Sequence, residues 1–312
     1  GDRRQLEQGA AQAGVSVDLE DFDPARDQAD CFVDLQNLDP SAVRVGRASR
    51  ETGAAALQNF AFALRLCHSG GAVATSFPPF NTYAMRLARD RYVDEIEFIK
   101  STIGADKEGS EFNVLDEIWN ARVTSHLPLR RVADAITEDR VLASIRLTDA
   151  TMRGAGHDRP RLAVAALNPH AGDGGNFGRE DDEIIAPAVA RARELQISVE
   201  GPISSDTVYL RAVRGEFDAV VSMYHDQGQI AMKLIGFDRG VTLIGGYPFW
   251  IATPAHGTAY DIAGQGTANP NATKRALLMA ARLAKIAGEG RPAAELRQEK
   301  TAELLREVKT AA

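Results

Sequence analysis

Compact apolar runs alternate with longer stretches of helical spacing along most of the chain. The runs at 161–167 (RLAVAAL), 196–200, 218–223 (DAVVSM) and 240–245 have the length of strands. Helical spacing covers 3–13, 51–68, 130–153, 181–195, 206–214, 226–235, 272–287 and 292–309. Gly70-Gly71 stop the 51–68 helix, a short apolar run follows at 72–75, and Pro78-Pro79 break it. Short apolar strands separated by helices predict an α/β fold whose largely parallel sheet is covered on both faces.

A chain of 312 residues suits one large α/β unit or two intimate domains. No run of about 18 apolar residues predicts a membrane span, and residues 1–20 are polar, without the pattern of a secretory leader. The net charge of −7 argues against a nucleic-acid binder but leaves an anionic small substrate open. Cys31 and Cys67 lie far apart and form no CxxC pattern, so they read as reduced thiols in a cytoplasmic protein.

The histidines bring in chemistry. His126 follows Thr124-Ser125 and precedes Leu127-Pro128, at a strand end. His170 stands in Asn168-Pro169-His170-Ala171-Gly172, directly after the 161–167 strand. His225 stands in Tyr224-His225-Asp226-Gln227-Gly228, directly after the 218–223 strand. The carboxyl edge of an open α/β sheet is where ligands bind. Three neutral imidazoles there suit a divalent metal with open positions for a substrate. A lone histidine is more often a hydrogen-bonded or surface residue; it is the recurrence at three strand ends that supports the metal reading. His68 and His157 lack this context and read as structural. A metal-dependent hydrolase would also use three histidines.

Two loops are polar and glycine-rich. Residues 170–179 (HAGDGGNFGR) allow a close backbone approach to a ligand, or simply a flexible turn. They match neither the GxGxxG dinucleotide fingerprint nor a phosphate-binding P-loop. Residues 256–271 (HGTAYDIAGQGTANPN) precede a long helix, and by spacing alone are a loop and a helix start.

Taken together, GRASRETGAAAL (46–57), VTSHLPL (123–129), LNPHAGDGGNFGRE (167–180), GPISSDTVY (201–209), FDAVVSMYHDQGQIAMKLIGF (217–237) and HGTAYDIAGQG (256–266) resemble the PdxA family of 4-hydroxythreonine-4-phosphate dehydrogenase-like enzymes. The resemblance implies an isocitrate/isopropylmalate dehydrogenase-like fold: two α/β/α domains with largely parallel sheets around a central cleft. It implies one domain from 1–90 plus 251–312 and a second from 91–250. It also implies a homodimer with a shared active site, in which His126, His170 and His225 bind Zn²⁺ or another divalent ion (Mg²⁺, Mn²⁺ or Co²⁺). The 256–271 loop is similar to the adenosine-binding loop of the isopropylmalate and isocitrate dehydrogenases. By that similarity His256, Gly257, Asp261, Ile262 and Asn269 contact the cofactor, and the Asp261-Ile262 pair points to NAD over NADP. That loop is what a hydrolase would leave unexplained.

The departures from the family fall in the substrate pocket. The family's phosphate-contacting GHTEF stretch is Asp94-Glu95-Ile96-Glu97-Phe98 here, and a carboxylate with an apolar side chain does not welcome a phosphate. The family's substrate-binding Lys is kept as Lys233, its Asn is Thr242, its Arg is Ile251, and the Asp before HGTA is Ala255. Family members open with a strand and a glycine-rich turn ahead of the GDRR-like motif; the chain here starts at Gly1-Asp2-Arg3-Arg4, so that first strand and helix are expected to be missing. The expectation is therefore an NAD-dependent, metal-assisted dehydrogenase of a small hydroxy acid or diol, with or without decarboxylation, using Lys233 or Asp226 as base; the changed phosphate-contacting residues favour a substrate without phosphate. The alternatives are 4-hydroxythreonine-4-phosphate dehydrogenase proper and a metal-binding, non-catalytic paralogue.

Overall fold

The computed structural model describes residues 1–28, 30–286 and 292–311. In chain order these form α1 (Arg3–Ala13), α2 (Arg50–His68), β1 (Ala74–Ser76), α3 (Thr82–Ala88), α4 (Glu95–Ile103), β2 (Ser110–Val114), β3 (Trp119–Arg122), α5 (Val132–Ala135), α6 (Glu138–Gly154) and β4 (Leu162–Ala165). There follow α7 (Ala186–Glu194), β5 (Val199–Ile203), α8 (Ser205–Val213), β6 (Ala219–Ser222), α9 (His225–Gly236), β7 (Val241–Gly245), β8 (Trp250–Pro254), α10 (Asn271–Ile286) and α11 (Ala294–Ala311). The expected 272–287 helix is α10, and residue 287 lies outside the described residues.

The chain divides into two compact units. One holds Gly1–Glu108, Tyr247–Ala284 and the C-terminal helix; the other is built on Gly109–Gly246. Helix α4 belongs to the first because Phe98 stacks on Phe60 of α2, with ring centroids 5.6 Å apart. In this unit β1 pairs in parallel with β8. Gly53 of α2 packs so closely on α3 that a Cβ there would stand 2.0 Å from the Ala84 carbonyl oxygen.

In the second unit the strands run in the order β7-β2-β3-β6-β4-β5. Strands β3, β6, β4 and β5 are parallel neighbours, while β2 is antiparallel to both β3 and β7. The fold is mixed α/β and mostly parallel. Ala163 and Ala165 of β4 and Val220 of β6 pack with Val208, Tyr209 and Ala212 of α8 and Met232 of α9. The alternate residues Leu162, Val164, Ala219 and Val221 therefore face the other side, which α6 covers. All seven are fully buried, and each Val or Leu among them contributes about 1.5–3 kcal/mol of hydrophobic stabilisation.

Two helices differ from their sequence pattern. The 130–153 periodicity is interrupted at Thr137, which is extended and caps α6 through its hydroxyl, the acceptor for the Arg140 amide at 3.3 Å. The 181–195 helix opens with a widened turn, the Ala186 amide bonding the Asp181 carbonyl. Pro187 has no amide to donate, so the regular ladder cannot run through this turn.

Candidate functional site

The parallel pairing of β3 with β6 and of β6 with β4 puts three strand ends side by side. His126 follows β3, His225 opens α9 after β6, and His170 lies in the turn after β4. The rings of His126 and His225 approach to 5.9 Å between centroids. His225 Nδ1 bonds the Asp226 carboxylate at 2.6 Å, which orients the ring and leaves Nε2 to take a ligand. The His170 ring packs against Phe177 at 6.1 Å. Among the described residues no group of three His, Cys, Asp or Glu side chains stands ready to hold one ion. The chain thus brings together two of the three expected ligands. Their convergence, with a carboxylate behind one ring, fits a divalent cation.

Side chains that the motif reading did not single out hold these turns. The Thr124 hydroxyl donates to the Met223 carbonyl at 2.8 Å, tying the end of β3 to the end of β6. Asp181 is fully buried. Its carboxylate accepts from the Leu167 amide at 2.8 Å, the Asn168 amide at 3.0 Å and the Asn168 side chain at 3.0 Å. It thereby fixes the start of the His170 turn, where His170, Ala171 and Asp173 all have left-handed φ values of 54°, 54° and 48°. Such backbone persists only where its surroundings over-determine it. The one sequence signal was an acidic first helical turn, which has a dipole explanation of its own.

Lys233 is exposed on α9. Asp226 lies seven residues earlier, on the same helix face and about two turns away. Thr242 is buried in β7 and its hydroxyl accepts from the Asn113 side chain at 3.4 Å. Asn113 in turn accepts from Arg122 at 3.3 Å, and Arg122 pairs with Glu111. Burial holds the Arg122 guanidinium below its ordinary value, with Glu111 opposing the shift. Ile251 is fully buried in β8.

In the first unit, a cleft of about 340 Å³ opens where β1 and β8 end. Its walls include Thr52, Pro78, Asn81, His256, Gly257 and Tyr260, and the Thr253 hydroxyl ties the strand ends by donating to the Phe77 carbonyl at 2.9 Å. Its size falls at the lower end of the range for small-ligand sites, about 300–1,000 Å³. His256 Nδ1 lies 2.9 Å from the Gly257 carbonyl. Its Nε2 is buried and without a hydrogen-bond partner among the described residues, an atom that a polar ligand would satisfy. Asp261 and Asn269 are exposed on the same loop, with Ile262 half-buried, outside the cleft lining. The Asn269 side chain accepts from the Asn271 amide at 3.0 Å, at the start of α10.

Glu95 and Ile96 open helix α4. The Asp94 side chain caps it by accepting from the Glu97 amide at 3.0 Å, and Glu95 and Glu97 add two more acids to the first turn. The positive end of this helix is already met by the chain's own carboxylates, which oppose a phosphate there.

The family model for the pyridoxal phosphate biosynthetic protein PdxA matches residues 1–280. A putative 4-hydroxythreonine-4-phosphate dehydrogenase 2 from Rhizobium meliloti is 53% identical over 91% of this chain and 83% of its own length. A D-threonate 4-phosphate dehydrogenase from Pectobacterium atrosepticum is 36% identical over 81% of this chain and 77% of its own. The crystal structure of 4-hydroxythreonine-4-phosphate dehydrogenase from Klebsiella pneumoniae superposes with a TM-score of 0.81 at 32% identity, covering 91% of this chain and 89% of that one. The chain belongs to the PdxA family and is a dehydrogenase acting on CH–OH groups.

Proposed function

We propose that this chain oxidises the secondary alcohol of a small hydroxy acid or diol with NAD, assisted by a divalent metal, and that the substrate carries no phosphate monoester. The observation that carries the reading is the convergence of the His126 and His225 rings beyond the ends of β3 and β6. These two histidines would hold the ion, and His170 of a second copy would complete the set. When bound, the ion supplies Lewis acidity toward an alcohol or enolate oxygen. His256 and Gly257 would hold NAD, with Asp261 on the same loop available to its ribose hydroxyls, and the cofactor would supply the hydride acceptor.

The chain's own residues do the rest. Asp226 is engaged in holding the His225 ring through Nδ1, which leaves Lys233 as the candidate base for the hydroxyl proton. The exposed side chains of Ile230, Leu234 and Phe237, 60%, 83% and 57% accessible, form an apolar stripe along and just beyond α9. A second copy covering that stripe would bring the Lys233 helix to a subunit interface. The acids of α4 favour an unphosphorylated substrate, whereas the names of the relatives favour 4-hydroxythreonine 4-phosphate or D-threonate 4-phosphate.

The test is NADH formation at 340 nm with Zn²⁺, Mg²⁺, Mn²⁺ or Co²⁺ present. The panel holds both phosphorylated acids, their unphosphorylated counterparts and aromatic cis-dihydrodiol carboxylates. Turnover confined to unphosphorylated compounds supports the proposal. Preferred turnover of either phosphorylated acid overturns its substrate half, and no NADH from any compound counts against the whole.

A further inference from the structure

We propose that Gln227 is a positioning residue for the metal centre, fixing the turn that presents His225 against the neighbouring end of β4. The inference rests on the metal reading above. Gln227 lies in the first turn of α9, two residues after His225. Its Oε1 accepts from the Met223 amide at 2.6 Å, at the end of β6. Its Nε2 donates to the Ala166 carbonyl at 2.7 Å, at the end of β4, and to the Ser205 hydroxyl of α8 at 2.9 Å. The Ser205 hydroxyl itself donates to the Ala166 carbonyl at 2.6 Å. One amide thus spans two neighbouring strand ends, and each of those ends leads within a few residues into a histidine turn.

The chemistry of the contacts separates this role from ordinary helix capping. Tyr224, the residue that caps α9 by position, makes no side-chain capping bond. An acceptor at the third helical position can serve the amides just before a helix, and Glu does so as readily as Gln. Only the amide also donates, and its donor half reaches β4. A carboxylate at 227 would keep the bond from the Met223 amide and would set a negative oxygen against the Ala166 carbonyl. Gln227→Glu therefore removes the tie between the strands while keeping the local cap. Outer groups that orient metal-binding histidines are worth about 10–100-fold in metal affinity.

The experiment is titration of the full-length protein with Mn²⁺ alone, free ion being followed by electron paramagnetic resonance. Wild type, His225→Ala, Gln227→Glu, Gln227→Met and Ser205→Ala are compared, with a melting curve for each. The expected result is a loss of about 10–100-fold in Mn²⁺ affinity in both Gln227 variants, a smaller loss in Ser205→Ala, and near-native melting of Gln227→Glu. Wild-type affinity in either folded Gln227 variant overturns the proposal. So does a lowered melting temperature with unchanged affinity, the mark of a purely structural side chain, and so does failure of both variants to fold. If the wild-type protein takes up no Mn²⁺, the metal reading falls and this inference with it.

Discussion

Replacing Asp181 by Ala tests how the His170 turn is held. The carboxylate is fully buried and accepts three hydrogen bonds, two from the backbone amides of Leu167 and Asn168. Stranding a buried donor costs about 1–3 kcal/mol, so the two amides together represent about 2–6 kcal/mol. Leu167 and Asn168 are half-buried, which lets water recover part of that, and the expected loss is about 2–4 kcal/mol, a large share of the stability of an ordinary domain. Asp181→Asn keeps one acceptor and should lose roughly half as much. The assay is urea unfolding followed by circular dichroism, with amide hydrogen exchange of residues 167–178 as the local readout. A change below about 0.5 kcal/mol in Asp181→Ala, the level of a neutral surface substitution, together with unchanged exchange in the turn, would refute the assignment.

Asp2 caps α1, and hydrogen bonds from the Arg4 side chain, reinforced by the Leu38 amide, hold its carboxyl down to about 2. Its folded value lies below the ordinary 3.8, so it stabilises the fold above that pH and the contribution is lost as pH falls from there toward about 2. Asp2→Ala should cost about 1–2 kcal/mol at neutral pH and flatten the acid-unfolding profile in that window; an unchanged profile would contradict the pairing. Burial pushes the Cys67 thiol up to about 12, while Cys31 is half-buried. Native labelling with iodoacetamide should modify Cys31 well before Cys67, and equal rates would speak against the burial of α2. For coenzyme choice, Asp261→Ala should narrow the ratio of kcat/KM for NAD over NADP by about tenfold, an electrostatic difference of about 1.4 kcal/mol; an unchanged ratio would remove Asp261 from the ribose site.

The features written locally were the ones the sequence revealed. His126, His170 and His225 each follow a strand and stand beside turn-forming residues, so their place at one sheet edge could be read without coordinates. The main strands and helices followed their periodicity for the same reason. Strand β2 carries no apolar run because Glu111 and Asn113 face the Arg122 network, and its antiparallel pairing with β3 and β7 is a tertiary fact. The break at Thr137 was hidden because the same hydrophobic spacing continues on both sides of it. Asp181, Thr124 and Gln227 look like ordinary helix-start and loop residues. Their roles lie in bonds to distant backbone, from Asp181 back to Leu167 and from Gln227 across to Ala166, and no short window contains both partners.

The central claim is that a metal on His126 and His225 supports hydride transfer to NAD. Its most direct test is NADH formation by protein stripped with EDTA, before and after Mn²⁺ or Zn²⁺ is restored, with the His225→Ala protein alongside and the best substrate of the panel. The account predicts a stripped enzyme at least 100-fold slower, about 2.7 kcal/mol in barrier, recovery in the wild type on adding metal, and no recovery in His225→Ala. Full turnover in EDTA, or a His225→Ala protein that responds to metal like the wild type, would contradict it.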